Sequence, residues 1–349
     1  MRRLRLLLLL LALPIAGQVG GAAQAPKIGK PRPAPPITST LPIPPAVIDN
    51  TLAIGGNDVK AKLVETRLSV EAHVNGTGPY QFIVDSGADT SAIGLRIANR
   101  LQLPLGTPAL LNGMTERSIV DRVKVDSLTL GPGTIRDLQL PALREEDVGG
   151  QGMIGIDALV RRRLLMDFEK RLIKVEDASI PAKWEAGEIV VTARRQRGQL
   201  ILTHVSAGGF SLDAVIDTGA QLTIGNPKLR EKLIRHRHNL QTIEAIGVTG
   251  KTIKLDVAVL EDLQIGSIVI HNLPVAFADL PPFHVFGLAD EPALFLGTDV
   301  LEKFRKVSLD FEARKVRFQL RRCASEGVLI RTMTTDYTTR MSSNGDACT

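Results

Sequence analysis

The sequence predicts an all-β protein built as two related lobes, and three observations predict it. First, Gln81-Phe82-Ile83-Val84-Asp85-Ser86-Gly87-Ala88 returns as Asp213-Ala214-Val215-Ile216-Asp217-Thr218-Gly219-Ala220. Second, further landmarks recur in the same order: Gly113 with Gly247, Gly131 with Gly266, Gly155 with Gly297, and Asp167 with Asp310. The aspartates are 132 positions apart and the later pairs 134, 135, 142 and 143, a drift that small loop insertions absorb. Third, apolar residues alternate with a period of two through most of the chain between turn-forming clusters, the pattern of half-buried strands.

Residues 1–25 are expected to be an export signal. Met1-Arg2-Arg3-Leu4-Arg5 is a positive start, Leu6 to Ala16 a short apolar core, and cleavage is expected near Ala23 or Ala25. The core is too short to span a bilayer comfortably, so no stable membrane span is expected after signal cleavage. Residues 26–50 are proline-rich and read as an extended, disordered linker.

The N-terminal lobe is assigned to residues 51–182. Val64 to Val74 alternates as a strand, and Asn75-Gly76-Thr77-Gly78 supplies turn chemistry. The strand Tyr80 to Val84 runs into Asp85. Ile93 to Leu101 has helical spacing and is stopped by Pro104. Strands follow at Val120 to Leu130 and Leu138 to Leu143, then Met153-Ile154-Gly155-Ile156-Asp157, and a closing hairpin through Leu164 to Val175. The C-terminal lobe, residues 183–320, repeats the order. It has a strand at Gln199 to Val205, the second Asp-x-Gly-Ala, a helix at Leu229 to Ile234, a strand at Val257 to Gly266, then Phe295-Leu296-Gly297-Thr298-Asp299 and a hairpin from Val307 to Phe318. A tail, residues 321–349, holds Cys323 and Cys348, which an oxidising compartment would join as one disulfide.

Charge excludes a nucleic-acid partner. The net charge of +6 includes Arg2, Arg3 and Arg5 of the leader and Lys27, Lys30 and Arg32 of the linker, so the folded body is close to neutral. Aromatic residues make up 4%, too few for base-stacking platforms.

In both repeats a buried apolar run ends in a carboxylate, then a small hydroxyl residue, a glycine and an alanine. A carboxylate placed there is costly unless hydrogen-bonded or used. If the copies meet across a two-fold, Asp85 and Asp217 face each other. Two apposed carboxyls cannot both ionise cheaply, so the pair holds one proton. Such a pair can activate a water without metal, cofactor or covalent intermediate.

Apolar-apolar-Asp-Ser/Thr-Gly-Ala, followed in each half by apolar-apolar-Gly at Gly155 and Gly297, resembles the aspartic proteases. The alanine makes the chain most similar to retropepsin-like enzymes, here fused into one chain of the two-lobed, bacterial periplasmic type. The resemblance covers roughly residues 61 to 320. It implies an acid-protease fold of two barrels related by a pseudo-two-fold, with the active site between the lobes. It implies Asp85 and Asp217 as the catalytic dyad, Ser86 and Thr218 bonded across its base, and the N–H groups of Gly87 and Gly219, beside Ala88 and Ala220, turned to the carboxylates. Flaps over the cleft are expected at Gly113-Met114-Thr115 and Gly247-Val248-Thr249. Neither contains the tyrosine of a pepsin flap. The implied partner is an extended peptide or protein held by strand addition.

Other features carry less chemistry. Asp157 and Asp299 read as helix N-caps. His236 and His238 fall in a basic stretch that reads as a solvated helix face. Glu188 to Arg195 resembles the box through which outer-membrane receptors contact TonB, but reads first as the opening strand of the second lobe. The sequence thus points to an exported, periplasmic aspartic endopeptidase. The alternative is a catalytically silent peptide-binding or scaffold protein of the same fold.

Overall fold

The computed structural model describes residues 27–35, 67–131, 133–159, 162–183, 185–233 and 240–321, together with the backbone of 58–64 and 329–332. The leader, most of the linker, His236, His238, Cys323 and Cys348 lie outside the described residues. The protein is mostly β, with two closed six-stranded barrels.

Each barrel is built around the strand that delivers its repeated aspartate. Thr77–Val84 runs parallel to Gly152–Ile154, Phe210–Ile216 parallel to Ala293–Leu296. The short strand after each aspartate, Ala92–Gly94 or Ile224–Gly225, then pairs antiparallel to that same partner. It also runs parallel to the end of the lobe's long hairpin, at Ala142-Leu143 or Ala276-Phe277. The chain therefore crosses itself in the same way in both lobes. Large apolar side chains fill the centre: Phe82, Ile93, Leu128, Leu140 and Ile154 in the first lobe, Phe283 and Phe295 in the second, all nearly solvent-free.

A sheet shared by both lobes joins them. Asp58–Val64, Leu172–Asp177, Arg162–Asp167, Phe304–Asp310, Lys315–Leu320 and Glu188–Gln196 lie side by side, all antiparallel. The pseudo-two-fold passes between its central strands, where Leu165 pairs with Ser308. Those two residues are 143 apart, the separation of the repeat at this point. Asp167 and Asp310 close the two hairpins identically, accepting Lys170 N–H and Ala313 N–H at 2.8 Å. Arg163 bonds Asp310 at 3.0 Å and Glu176 at 3.1 Å. Buried guanidinium and carboxylate are tolerable here because each meets its opposite. The outer strands each serve two sheets: Ala61–Val64 turns into the first lobe against Arg67–Val70, and Ala193–Gln196 into the second against Gln199–Leu202. The TonB-box-like stretch is thus the strand Glu188–Gln196, hydrogen-bonded to Lys315–Leu320 and to Gln199–Ala207.

Three local readings differ from the structure. The helix expected from Ile93 is Leu95–Arg100, because Ile93 is fully buried and belongs to the crossing strand. In the second lobe the helix begins earlier, at Pro227, because the buried Asn226 side chain accepts the Leu229 N–H at 2.8 Å. Finally, residues 27–35 of the proline-rich segment are ordered rather than disordered. Arg32–Pro33 adds a strand to Arg117–Val120, which already pairs with Ala109–Asn112. Asp121 anchors it, accepting Gly29 N–H at 2.8 Å and Arg32 at 3.1 Å, while Ile28 packs on the core. No helix among the described residues is long and apolar enough to cross a membrane.

Candidate active site

Parallel pairing to the Gly-containing strand sets the height at which each aspartate leaves its barrel. Asp85 N–H donates to Ile154 O at 2.9 Å, and Asp217 N–H to Leu296 O at 3.1 Å. The chain then turns back on the carboxylate it has just placed. Asp85 Oδ1 accepts the N–H groups of Gly87 (2.8 Å) and Ala88 (3.0 Å), and Asp217 Oδ1 those of Gly219 and Ala220, both at 3.0 Å.

The glycine in each turn is required by the opposite lobe. A Cβ on Gly87 would stand 2.7 Å from Asp217 Cγ, and one on Gly219 2.2 Å from Asp85 Cγ. The two carboxyls are therefore brought face to face, within hydrogen-bonding reach of one another.

Beneath them the hydroxyls of the repeat cross over. Thr218 Oγ1 accepts Ser86 N–H at 2.9 Å and donates to Val84 O at 2.8 Å. Ser86 Oγ accepts Thr218 N–H at 3.1 Å and donates to Ile216 O at 2.9 Å. Both side chains are buried, so these four bonds have no competition from water.

Electrostatics follow from this enclosure. Asp217 is 5% exposed and Asp85 half-buried. Burial first, and then the charge of Asp217, raises Asp85 well above the ordinary carboxylate range, against the lowering effect of the Gly87 and Ala88 N–H bonds. Burial also raises Asp217. There the opposing influences include the N–H groups of Ala220 and Gly219, the hydrogen bond from Asp85, and the Arg67 guanidinium. The pair holds a proton at neutral pH where separate aspartates would hold none.

A second layer of symmetric bonds holds the loops, and it corrects the reading of Asp157 and Asp299. The helix N-cap positions fall to Gly155 and Gly297, with no side-chain cap. Asp157 instead accepts Ser91 N–H at 2.9 Å, Ser91 Oγ at 2.8 Å and Thr90 Oγ1 at 3.1 Å. Asp299 does the same with Thr223 N–H (2.9 Å) and Oγ1 (2.8 Å). Ser91 and Thr223 each stand six residues beyond their aspartate, a recurrence readable in the repeat. Gly155 and Gly297 are needed because a Cβ would strike the backbone of Thr90 or Leu222 at 2.6 Å.

Two hairpin tips, one from each lobe, meet each other. Each inserts an apolar side chain into the other lobe: Met114 packs with the cluster around Ile224, Leu255 and Leu280, and Val248 with Ala92, Val120 and Met153. Glu116 latches them, its Oε1 accepting Ser118 Oγ and Thr249 Oγ1, both at 2.9 Å, with Lys251 Nζ 3.7 Å from its Oε2. Gly113 sits beside Val248, and Gly247 beside the Thr115 side chain. Below the tips a cleft of about 430 Å³ runs past Gly219 and Ala220, its apolar wall formed by Leu222, Ile253, Leu255 and Leu280.

Two barrels meeting at apposed carboxyls define a two-lobed protein of the acid-protease fold. A family model described as aspartyl protease matches residues 70–158 and 203–300, more than half of the 349 residues, and the chain belongs to that family. The two matched stretches are the two barrels, the arrangement of a retropepsin-like aspartic protease carried on one chain. No curated protein matches the chain.

Proposed function

We propose that the protein is an aspartic endopeptidase in which Asp85 and Asp217 are the catalytic residues. The observation that carries this reading is the mutual placement of the two carboxyls. Each is held by two N–H groups of its own turn, and each stands where a side chain on the opposite glycine would fall. The shared proton gives one acid and one base in the same site.

A water held between the carboxyls loses a proton to the ionised member as its oxygen bonds the peptide carbonyl carbon. The other member gives its proton to the carbonyl oxygen. When the tetrahedral species collapses, the C–N bond breaks. The base's new proton goes to the leaving nitrogen, and a hydroxyl proton returns to the acid. The pair ends as it began.

The substrate is an extended peptide lying under Gly113-Met114-Thr115 and Gly247-Val248-Thr249, which act as paired flaps. The apolar wall of the cleft accepts an apolar side chain near the scissile bond. A charged leader before the body supports action on exported or membrane-protein segments in a periplasm.

The test is hydrolysis of a mixed peptide library with and without pepstatin, by wild type, Asp85→Asn and Asp217→Asn. Pepstatin-sensitive cleavage lost in both variants is the expected result. Peptide binding without any cleavage by wild type would replace the proposal with a scaffold role.

A further inference from the structure

The two lobes are not equivalent around their aspartates. Position 67 is arginine where its counterpart 132 residues on is Gln199, and position 89 is aspartate where its counterpart is Gln221. Both 67 and 199 reach across the pseudo-two-fold to the glycine that follows the other lobe's aspartate. Arg67 Nη1 donates to Gly219 O at 3.4 Å, and also to Val148 O at 2.9 Å. Gln199 Nε2 donates to Gly87 O at 3.4 Å, and also to Asp89 Oδ1. Asp89 is in turn paired with Arg197 at 3.2 Å. The Asp85 side therefore carries a neutral amide and a closed ion pair, whereas the Asp217 side carries a guanidinium.

The remaining charges around the cleft do not cancel this difference by direct pairing. Glu146 is engaged by Arg96 and Arg144, and Asp147 by Arg144 at 3.7 Å. Glu116 is bonded into the hairpin tips, and Glu244 is exposed on its own hairpin. Gly149, with a φ of +75°, leaves the space that the Arg67 guanidinium fills, since a Cβ there would overlap it.

We propose that Arg67 is the positioning residue that makes Asp217 the ionised member of the pair and leaves the shared proton on Asp85. A cation favours the charged form of a nearby carboxyl, and Arg67, bonded to the carbonyl of Gly219 two residues beyond Asp217, acts on it in that direction. Asp217 then takes the proton from water, and Asp85 protonates the carbonyl oxygen. This rests on the protease reading for its consequence, but the assignment itself is measurable without turnover.

The experiment is ¹³C NMR of the full chain labelled at aspartate Cγ, with Asp85 and Asp217 assigned from their asparagine variants. In wild type, Asp217 should show the carboxylate shift and Asp85 the protonated one at pH 6. Arg67→Gln should move the Asp217 titration up by about one pH unit, whereas Arg67→Lys should restore it. Gln199→Arg, which keeps Arg67, should move Asp85 down. In the Arg67→Gln, Gln199→Arg double variant the two carboxyls should exchange roles. If turnover is present, the acidic limb of kcat/KM should follow Asp217, with about a tenfold loss on that limb in Arg67→Gln and a recovery at higher pH. Asp85 as the ionised member in wild type would overturn the assignment. So would an unchanged Asp217 titration in a folded Arg67→Gln protein, or an unmoved Asp85 in Gln199→Arg. A wild type with the expected carboxyl titration but no cleavage would instead refute the protease reading and leave this one standing.

Discussion

Replacing Thr218 by valine isolates the bonds that hold the two lobes in register at the dyad. Valine keeps the volume and shape of the side chain, so the change is confined to the hydroxyl. Two bonds disappear: the one Thr218 Oγ1 accepts from Ser86 N–H at 2.9 Å and the one it donates to Val84 O at 2.8 Å. Thr218 is 2% exposed, so water does not replace them. A buried polar group left without its partner costs about 1–3 kcal/mol, and two are affected, so the expected destabilisation is about 2–6 kcal/mol. Thr218→Ser keeps both bonds and loses one methyl, about 0.8 kcal/mol by area. Urea unfolding of the full chain, followed by far-UV circular dichroism, compares the two. Turnover of Thr218→Val should fall as well, because the same bonds fix the height of Asp85 relative to Asp217. A valine variant no less stable than the serine variant would refute the reasoning.

Other outcomes follow from the same geometry. Gly219→Ala should lower kcat/KM by at least about 100-fold while the chain stays folded, since its Cβ would come within 2.2 Å of Asp85 Cγ; steady-state kinetics with circular dichroism checks it. Asp121→Ala should release residues 29–34 from Arg117–Val120, seen as faster hydrogen exchange at Ile119, whose N–H faces that strand. The raised dyad makes wild-type stability pH-dependent. A carboxyl with a folded pKa above its unfolded value contributes most below about pH 4, and that contribution is lost as pH rises through the folded pKa. Asp85→Asn should therefore gain stability relative to wild type between pH 4 and 7, by up to about 1.4 kcal/mol per pH unit, as measured by unfolding at several pH values.

Much of this was legible in the sequence because a repeat constrains two places at once. One Asp-Ser-Gly-Ala after an apolar run is compatible with a capped turn. Its return 132 residues on, with matching glycines at 155 and 297, ties both copies to one architecture. The apolar-apolar-Gly strands are readable for a physical reason as well, since the loop backbone passes where their side chains would be. What stayed hidden depends on long-range pairing. Ile93 and Gly94 have helical neighbours in sequence, yet the fold takes them into a strand buried between two others. Asp157 and Asp299 look like caps because caps are local, whereas most of their partners lie more than sixty residues away. The ordering of residues 27–35 depends on Asp121, which composition does not reveal. Arg67 is hidden by the repeat itself, which marks what the halves share; its signal is the difference between 67 and 199 and between 89 and 221.

The central claim is that Asp85 and Asp217 work as one unit. The measurement that tests it most directly is kcat/KM on one cleavable peptide for Asp85→Asn, Asp217→Asn and the double variant, each shown to be folded. Groups that act together are strongly non-additive when removed. The account predicts that each single substitution loses about as much activity as the double, on the order of 1,000-fold or more. Losses that multiply independently, or a single variant that keeps a tenth or more of wild-type activity, would contradict it.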